Sequence, residues 1–228
     1  MKMKSLVIFD FDDTIVDNSD LDYLGFKIPC QKLGIDFPSK LNLKTYRKKG
    51  MTAKEIFRFF SKNNKILLEF LNLRKIFLKK ESSNHLTVKP HAKLVFQKLT
   101  KLNYELIICT ANNNPKMIIK FLKENNLNLY FKNIFSINDL NIILENNNSS
   151  NRILIKTSLL RLIIKNLKNS NKTFVYVGNS LEDYYAAKKL KIKFIYFLNS
   201  YLPNPKINNL IKITTMKQLT NLIQGEKN

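Results

Sequence analysis

Cysteine is almost missing from this sequence: Cys30 and Cys109 are the only two in 228 residues. Two such residues give neither a disulfide framework nor a ligand spacing for zinc, and a reducing, cytoplasmic setting is expected. Long hydrophobic runs are missing as well. None approaches the ~18–20 apolar residues that cross a bilayer, so no membrane role is expected. Met1–Lys4 is basic, but the apolar run after it is short and stops at Asp10, so no secretory signal is expected. Neither histidine, His85 or His91, has a partner at ligand or catalytic spacing. No internal repeat is visible.

Acids are scarce too: 17 Asp and Glu stand against 39 Lys and Arg, a net charge of +22. A chain this basic can bind nucleic acid, coat an anionic membrane or collect anionic substrates. The lysines, however, form no dense run with interleaved aromatics, and no zinc-finger or glycine-rich RNA-binding signature occurs. Lys, Asn and Ile are abundant throughout, which makes the charge compositional. Nucleic acid is therefore not the favoured partner. The few acids are unevenly placed. Asp10, Asp12, Asp13, Asp17, Asp20 and Asp22 lie within thirteen residues, and Glu182 and Asp183 are adjacent, so these two stretches hold eight of the 17 acids. Scattered surface acids would not cluster this way; a cation-binding pocket would.

What is present starts with an ordinary apolar content of 44% and a length that allows one domain, or a domain with an insertion. The chain is organised around Leu6-Val7-Ile8-Phe9-Asp10-Phe11-Asp12-Asp13-Thr14. Its apolar run predicts a buried strand with the carboxylates emerging at the C-terminal end, where open α/β sheets place their ligands. Asp10 and Asp12 are two residues apart, so a continuing strand would aim them the same way. Like charges that close need a cation or a shared proton to relieve them. Magnesium with a phosphorylated substrate meets that need.

Further strands are predicted over 104–109, 133–137, 173–177 and 193–198. Helices are predicted over 20–33 (kinked at Pro29), 52–60, 65–80, from Pro90 to 101, from Pro115 to 124, and over 156–167, 181–190 and 216–224. Thr52 with Glu55 forms a capping box. Residues 39–49 resist assignment, and 138–151 reads as an Asn-rich loop with one short helix near 139–144. Strand and helix alternate, the pattern of a parallel sheet with helices on both faces. The stretch 19–87 is all-helical and interrupts that pattern.

Three strand ends are polar (Asp10 and Asp12; Thr110; Asn179 through Asp183), and Lys156 opens a helix between the last two. In this order they resemble the four motifs of the haloacid dehalogenase-like superfamily. Asp10, Asp12 and Thr14 match the first, Thr110 the second and Lys156 the third. Gly178 and Asp183 match the fourth, which is broken at Asn179. The resemblance covers residues 5–198. It implies an α/β fold: a doubly wound Rossmann-like parallel sheet in the order 3-2-1-4-5, with a core domain of 1–18 and 88–228 and a small helical cap domain of 19–87. It also implies a magnesium-dependent phosphatase of a small phosphorylated metabolite. Asp10 would be the nucleophile and form an aspartyl-phosphate, with Asp12 the general acid and base. Thr110, Ala111, Asn112 and Lys156 would bind the phosphoryl group. Magnesium would lie between the Asp10 side chain, the Asp12 carbonyl, Asn179 and Asp183. An amide at position 179 carries no charge, which implies weaker metal binding or a rearranged fourth motif. Asp13 takes no role, and Arg47, Lys48 and Lys49 read as solvated surface. Three other readings stay open: a phosphosugar mutase, a polynucleotide-end phosphatase or nucleic-acid binder, and a catalytically degenerate phosphate-binding protein.

Overall fold

The computed structural model describes residues 5–81, 83–140, 149–167, 173–199 and 201–224. In chain order the elements are β1 (Leu6–Phe9), β2 (Val16–Asp17), α1 (Ser19–Lys32), α2 (Lys40–Lys48), α3 (Ala53–Phe57), α4 (Asn64–Glu81), β3 (Thr87–Val88), α5 (Ala92–Lys101), β4 (Glu105–Cys109), α6 (Pro115–Glu124), β5 (Phe131–Phe135), α7 (Ser149–Asn166), β6 (Phe174–Gly178), α8 (Leu181–Lys189), β7 (Lys193–Phe197), β8 (Lys212–Ile213) and α9 (Met216–Gln224). Single 3-10 turns lie at Asn128–Tyr130 and Ile137–Asp139. The chain divides into two units. One holds the residues up to Val16, Val88–Leu198 and those from Lys206 onward; the other holds Asp17–Thr87 and Asn199–Pro205.

The first unit is an α/β fold around a parallel sheet in the order β5-β4-β1-β6-β7-β8. Its five larger strands stand in the expected order, and β8 adds a sixth at the edge. Strand β1 is central, and Leu6, Val7, Ile8 and Phe9 are fully buried. Each such side chain contributes about 1.5–3 kcal/mol relative to exposure. The pleat splits them between two cores. Leu6 and Ile8 join Leu159, Leu160 and Ile163 of α7 and Ala186 and Ala187 of α8. Phe9 meets Phe96 of α5 edge-on, with ring centroids 5.2 Å apart. Successive strands lie to one side of β1 and then to the other, so the ends of β1, β4 and β6 flank the point where the winding reverses. Crevices for ligands form there. Register brings the ends level, because Phe9 pairs with both Ile108 and Val177.

Several boundaries differ from expectation. Strand β5 runs over Phe131–Phe135 rather than 133–137; it is the half-exposed edge of the sheet, so its apolar pattern is weak. Pro90 does not open α5. It occupies a turn closed by the Ala92 N–H on the Lys89 carbonyl at 3.1 Å, with His91 left-handed at φ 64°. The turn thus has the type II form, with Pro in its favoured second position. Helix α7 begins at Ser149, well before Lys156. The unassigned stretch near 40 is α2, whose N-cap side chain is Ser39. The helix expected near 139–144 falls largely outside the described residues.

The second unit packs α1 to α4 around Phe26, Cys30, Leu43, Ile56, Phe57, Leu67 and Phe70, with Tyr201 from the returning segment. The capping box at Thr52 and Glu55 is present. Asp22 is its electrostatic centre. It accepts from Arg47 Nε and NH2 at 2.9 and 2.8 Å, from Arg74 NH2 at 2.6 Å and from Tyr201 OH at 2.9 Å. Burial alone would raise its carboxyl, but these donors outweigh it and hold the group below the usual carboxylate range. Among the described residues no helix is long and apolar enough to cross a membrane.

Candidate active site

Asp10 stands one residue beyond β1, and its N–H donates to Val177 at 2.9 Å, adding one more bond between β1 and β6. The residue is only 6% exposed. A carboxylate that deep needs a partner, and Lys156 Nζ donates to Asp10 Oδ1 at 2.5 Å. The same ammonium lies 2.9 Å from Asp183 Oδ1, 3.2 Å from the Tyr176 hydroxyl and 3.4 Å from the Cys109 carbonyl. Burial raises the Asp10 carboxyl, with Lys156 opposing and Asp183 and Asp12 adding to the rise. Burial would lower Lys156, but Asp10 and Asp183 reverse that and hold it above its ordinary range. The lysine therefore stays charged.

After Asp10 the chain turns sharply. The Phe11 carbonyl accepts from the N–H groups of Thr14, Ile15 and Val16 at 3.4, 3.0 and 3.3 Å. Asp13 takes up the turn in a left-handed conformation, φ 57°, which Asp tolerates better than most residues. Across from it, Thr110 follows β4 and is 1% exposed. Thr110 Oγ1 accepts the Asn112 N–H at 3.1 Å, and Asn112 Nδ2 donates to Asp12 Oδ2 at 3.3 Å. The cap of α6 is Asn114, through Met117 N–H at 3.2 Å. Thr110 thus does not cap that helix. Ala111 packs its methyl group against the α7 and α8 core.

At the end of β6 a Cβ on Gly178 would stand 2.6 Å from Asp183 Oδ2. Only glycine lets the first turn of α8 close against the strand. Asp183 is fully buried and both its oxygens are engaged. Oδ2 accepts from Ser180 Oγ and N at 2.7 and 3.3 Å, completing a capping box. Oδ1 accepts from Tyr176 OH at 2.5 Å and lies against Lys156. Glu182 takes no part in these bonds.

Asn179 faces three oxygens. One atom of its amide lies 3.2 Å from the Asp12 carbonyl, 3.2 Å from Asp10 Oδ2 and 3.3 Å from Thr14 Oγ1. With nitrogen there, its two protons are shared among the three acceptors. With oxygen there, it accepts from the Thr14 hydroxyl, and its contacts with Asp10 and the Asp12 carbonyl call for a cation. Neighbouring ligands of an octahedral ion with bonds of about 2.1 Å stand about 3.0 Å apart, close to the observed spacing. Among the described residues no group of three or more His, Cys, Asp or Glu could hold a metal, so a ligand set here would have to be mixed: one carboxylate, one carbonyl and one amide. Those hard oxygens fit magnesium, with water completing the shell.

The structure brings Asp10, Asp12, Thr110, Asn112, Lys156, Asn179 and Asp183 together at one place: Lys156 joins Asp10 to Asp183, Asn112 joins Thr110 to Asp12, and the Asn179 amide lies between Asp10 and Asp12. Two more residues touch this group: Thr14, which matched the first motif without a role, and Tyr176, which reads in the sequence as an ordinary strand residue.

The model of the haloacid dehalogenase-like hydrolase family matches residues 7–197. The chain belongs to that family and is a hydrolase by membership. Solved structures share the fold at low identity. A Clostridium difficile protein provisionally named a phosphatase is 18% identical with a TM-score of 0.74, over 98% of this chain and 100% of its own. A haloacid dehalogenase-superfamily hydrolase from Geobacter sulfurreducens is 14% identical, TM-score 0.71, over 96% of each chain. A "predicted phosphoglycolate phosphatase" from Haemophilus somnus is 15% identical, TM-score 0.69, over 98% of this chain and 100% of its own. No curated protein matches the chain significantly.

Proposed function

We propose that this hydrolase is a magnesium-dependent phosphatase acting on a small phosphomonoester through a phosphorylated Asp10. The observation that carries the proposal is the buried Asp10 carboxylate, held by Lys156 at 2.5 Å at the end of the central strand, with Asp12 two residues on. An Asp10 oxygen attacks phosphorus and the ester P–O bond breaks. Asp12 gives its proton to the departing oxygen. Asp12 then takes a proton from water, whose oxygen attacks phosphorus and releases phosphate and Asp10. Asn112 orients Asp12 for both transfers. Thr110 Oγ1 already accepts from Asn112, which leaves its own proton to donate to a phosphoryl oxygen beside Lys156 and the Ala111 N–H. Asp10, the Asp12 carbonyl and Asn179 would hold magnesium, which supplies positive charge that keeps Asp10 ionised and offsets charge on the phosphoryl group. Asp183 anchors Lys156 instead. The helical stretch between the first and second motifs is proposed as the substrate-selecting cap.

Hydrolysis of p-nitrophenyl phosphate with magnesium tests this reading. Turnover in the natural protein, abolished in Asp10→Asn, is the expected outcome, with a phosphate adduct on the Asp10 peptide after acid quench. Asn179 favours a second reading, a phosphate-binding protein without turnover. Binding of inorganic phosphate with no hydrolysis of any phosphomonoester in a broad screen, phosphoglycolate included, would establish it.

A further inference from the structure

The hydroxyl of Tyr176 has no part in the chemistry above, yet it lies at the centre of the charged network. Its ring is fully buried on β6 and held edge-on by Phe194, with centroids 5.6 Å apart. Phe194 is itself wedged against Tyr184 and Tyr196, at 5.9 and 6.1 Å. The hydroxyl position is therefore set by packing in the core, independently of either charged neighbour. From that fixed point it donates to Asp183 Oδ1 at 2.5 Å and accepts from Lys156 Nζ at 3.2 Å. Asp183 is fixed in turn, because its other oxygen is bound into the Ser180 cap.

We infer that Tyr176 is a positioning residue for Lys156. An ammonium on a four-carbon stem has three protons and many rotamers. Here Asp10, Asp183, Tyr176 and the Cys109 carbonyl surround it. Asp10 is the group that changes during the proposed reaction, since one of its oxygens becomes esterified to phosphorus. At that moment Lys156 weakens its hold on Asp10 and would swing toward Asp183. The hydroxyl shares Asp183 Oδ1 and offers the ammonium a second, neutral acceptor, so Lys156 stays aimed at the phosphoryl oxygens. A merely structural hydroxyl would satisfy Asp183 and have no effect on the bound phosphoryl group.

The inference rests on the phosphatase reading, and the test separates the two. Orthovanadate affinity in magnesium buffer is measured by calorimetry for the natural protein, Tyr176→Phe, Lys156→Gln and the double variant. Tyr176→Phe is expected to bind vanadate about tenfold more weakly and to lower kcat for p-nitrophenyl phosphate similarly, with KM within about twofold. The double variant is expected to bind no more weakly than Lys156→Gln, since a residue acting through another adds nothing once that other is gone. Vanadate binding and kcat unchanged in Tyr176→Phe, whatever its melting temperature, would overturn the inference and leave the phosphatase reading standing. Additive losses in the double variant would also overturn it. A natural protein that neither binds vanadate nor turns over substrate would remove the phosphatase reading and this inference with it.

Discussion

Asn179 is the residue at which this chain departs from the motif pattern of its family. Its amide touches Asp10, the Asp12 carbonyl and Thr14, so it can bridge these oxygens by itself or share a cation with them. Asn179→Asp would add a carboxylate beside Asp10 and Asp12. Without metal the variant is expected to melt at a lower temperature, because like charges crowd. With magnesium it is expected to gain more stability than the natural protein, by about 1.4 kcal/mol for each tenfold gain in affinity. A magnesium titration followed by thermal unfolding checks both signs. Gly178 sets a second residue-scale limit. Gly178→Ala must displace the Asp183 carboxyl, at an expected cost of about 1–3 kcal/mol by chemical denaturation, with loss of turnover. Both positions were legible because their chemistry is unusual at a strand end. Tyr176 was not, since a tyrosine in an apolar strand looks the same whether its hydroxyl works or not.

At the scale of elements, β1, β4, β6 and β7 could be read from sequence because burial on both faces demands continuous apolar runs. Strand β5 slipped by two residues because an edge strand needs only one apolar face. Strand β8 has two residues and no period to detect. Helix α2 was lost among lysines, although Ser39 caps it and Leu43 is its buried anchor. The links among α1, α2 and α4 through Asp22 depend on residues far apart in sequence, which no local pattern reveals. Because the folded carboxyl is depressed, its stabilisation is present above the unfolded value of about 3.9 and is lost as pH falls through the lower folded value. Asp22→Asn is expected to lower the melting temperature at pH 7. It is also expected to flatten the loss of stability below about pH 4, as read by circular dichroism.

At the scale of the whole molecule, the helical unit is assembled from two separate pieces of chain. Asp17–Thr87 supplies the helices, while Asn199–Pro205 arrives much later in the sequence and brings Tyr201. That second piece is too short, and too poor in pattern, to have been recognised without coordinates. It restricts recombination. An excised 17–87 fragment would carry a gap in its apolar centre and an aspartate one donor short. Transplanting these helices into a sister hydrolase therefore requires the recipient to supply its own Tyr201 equivalent, or the graft to carry both segments.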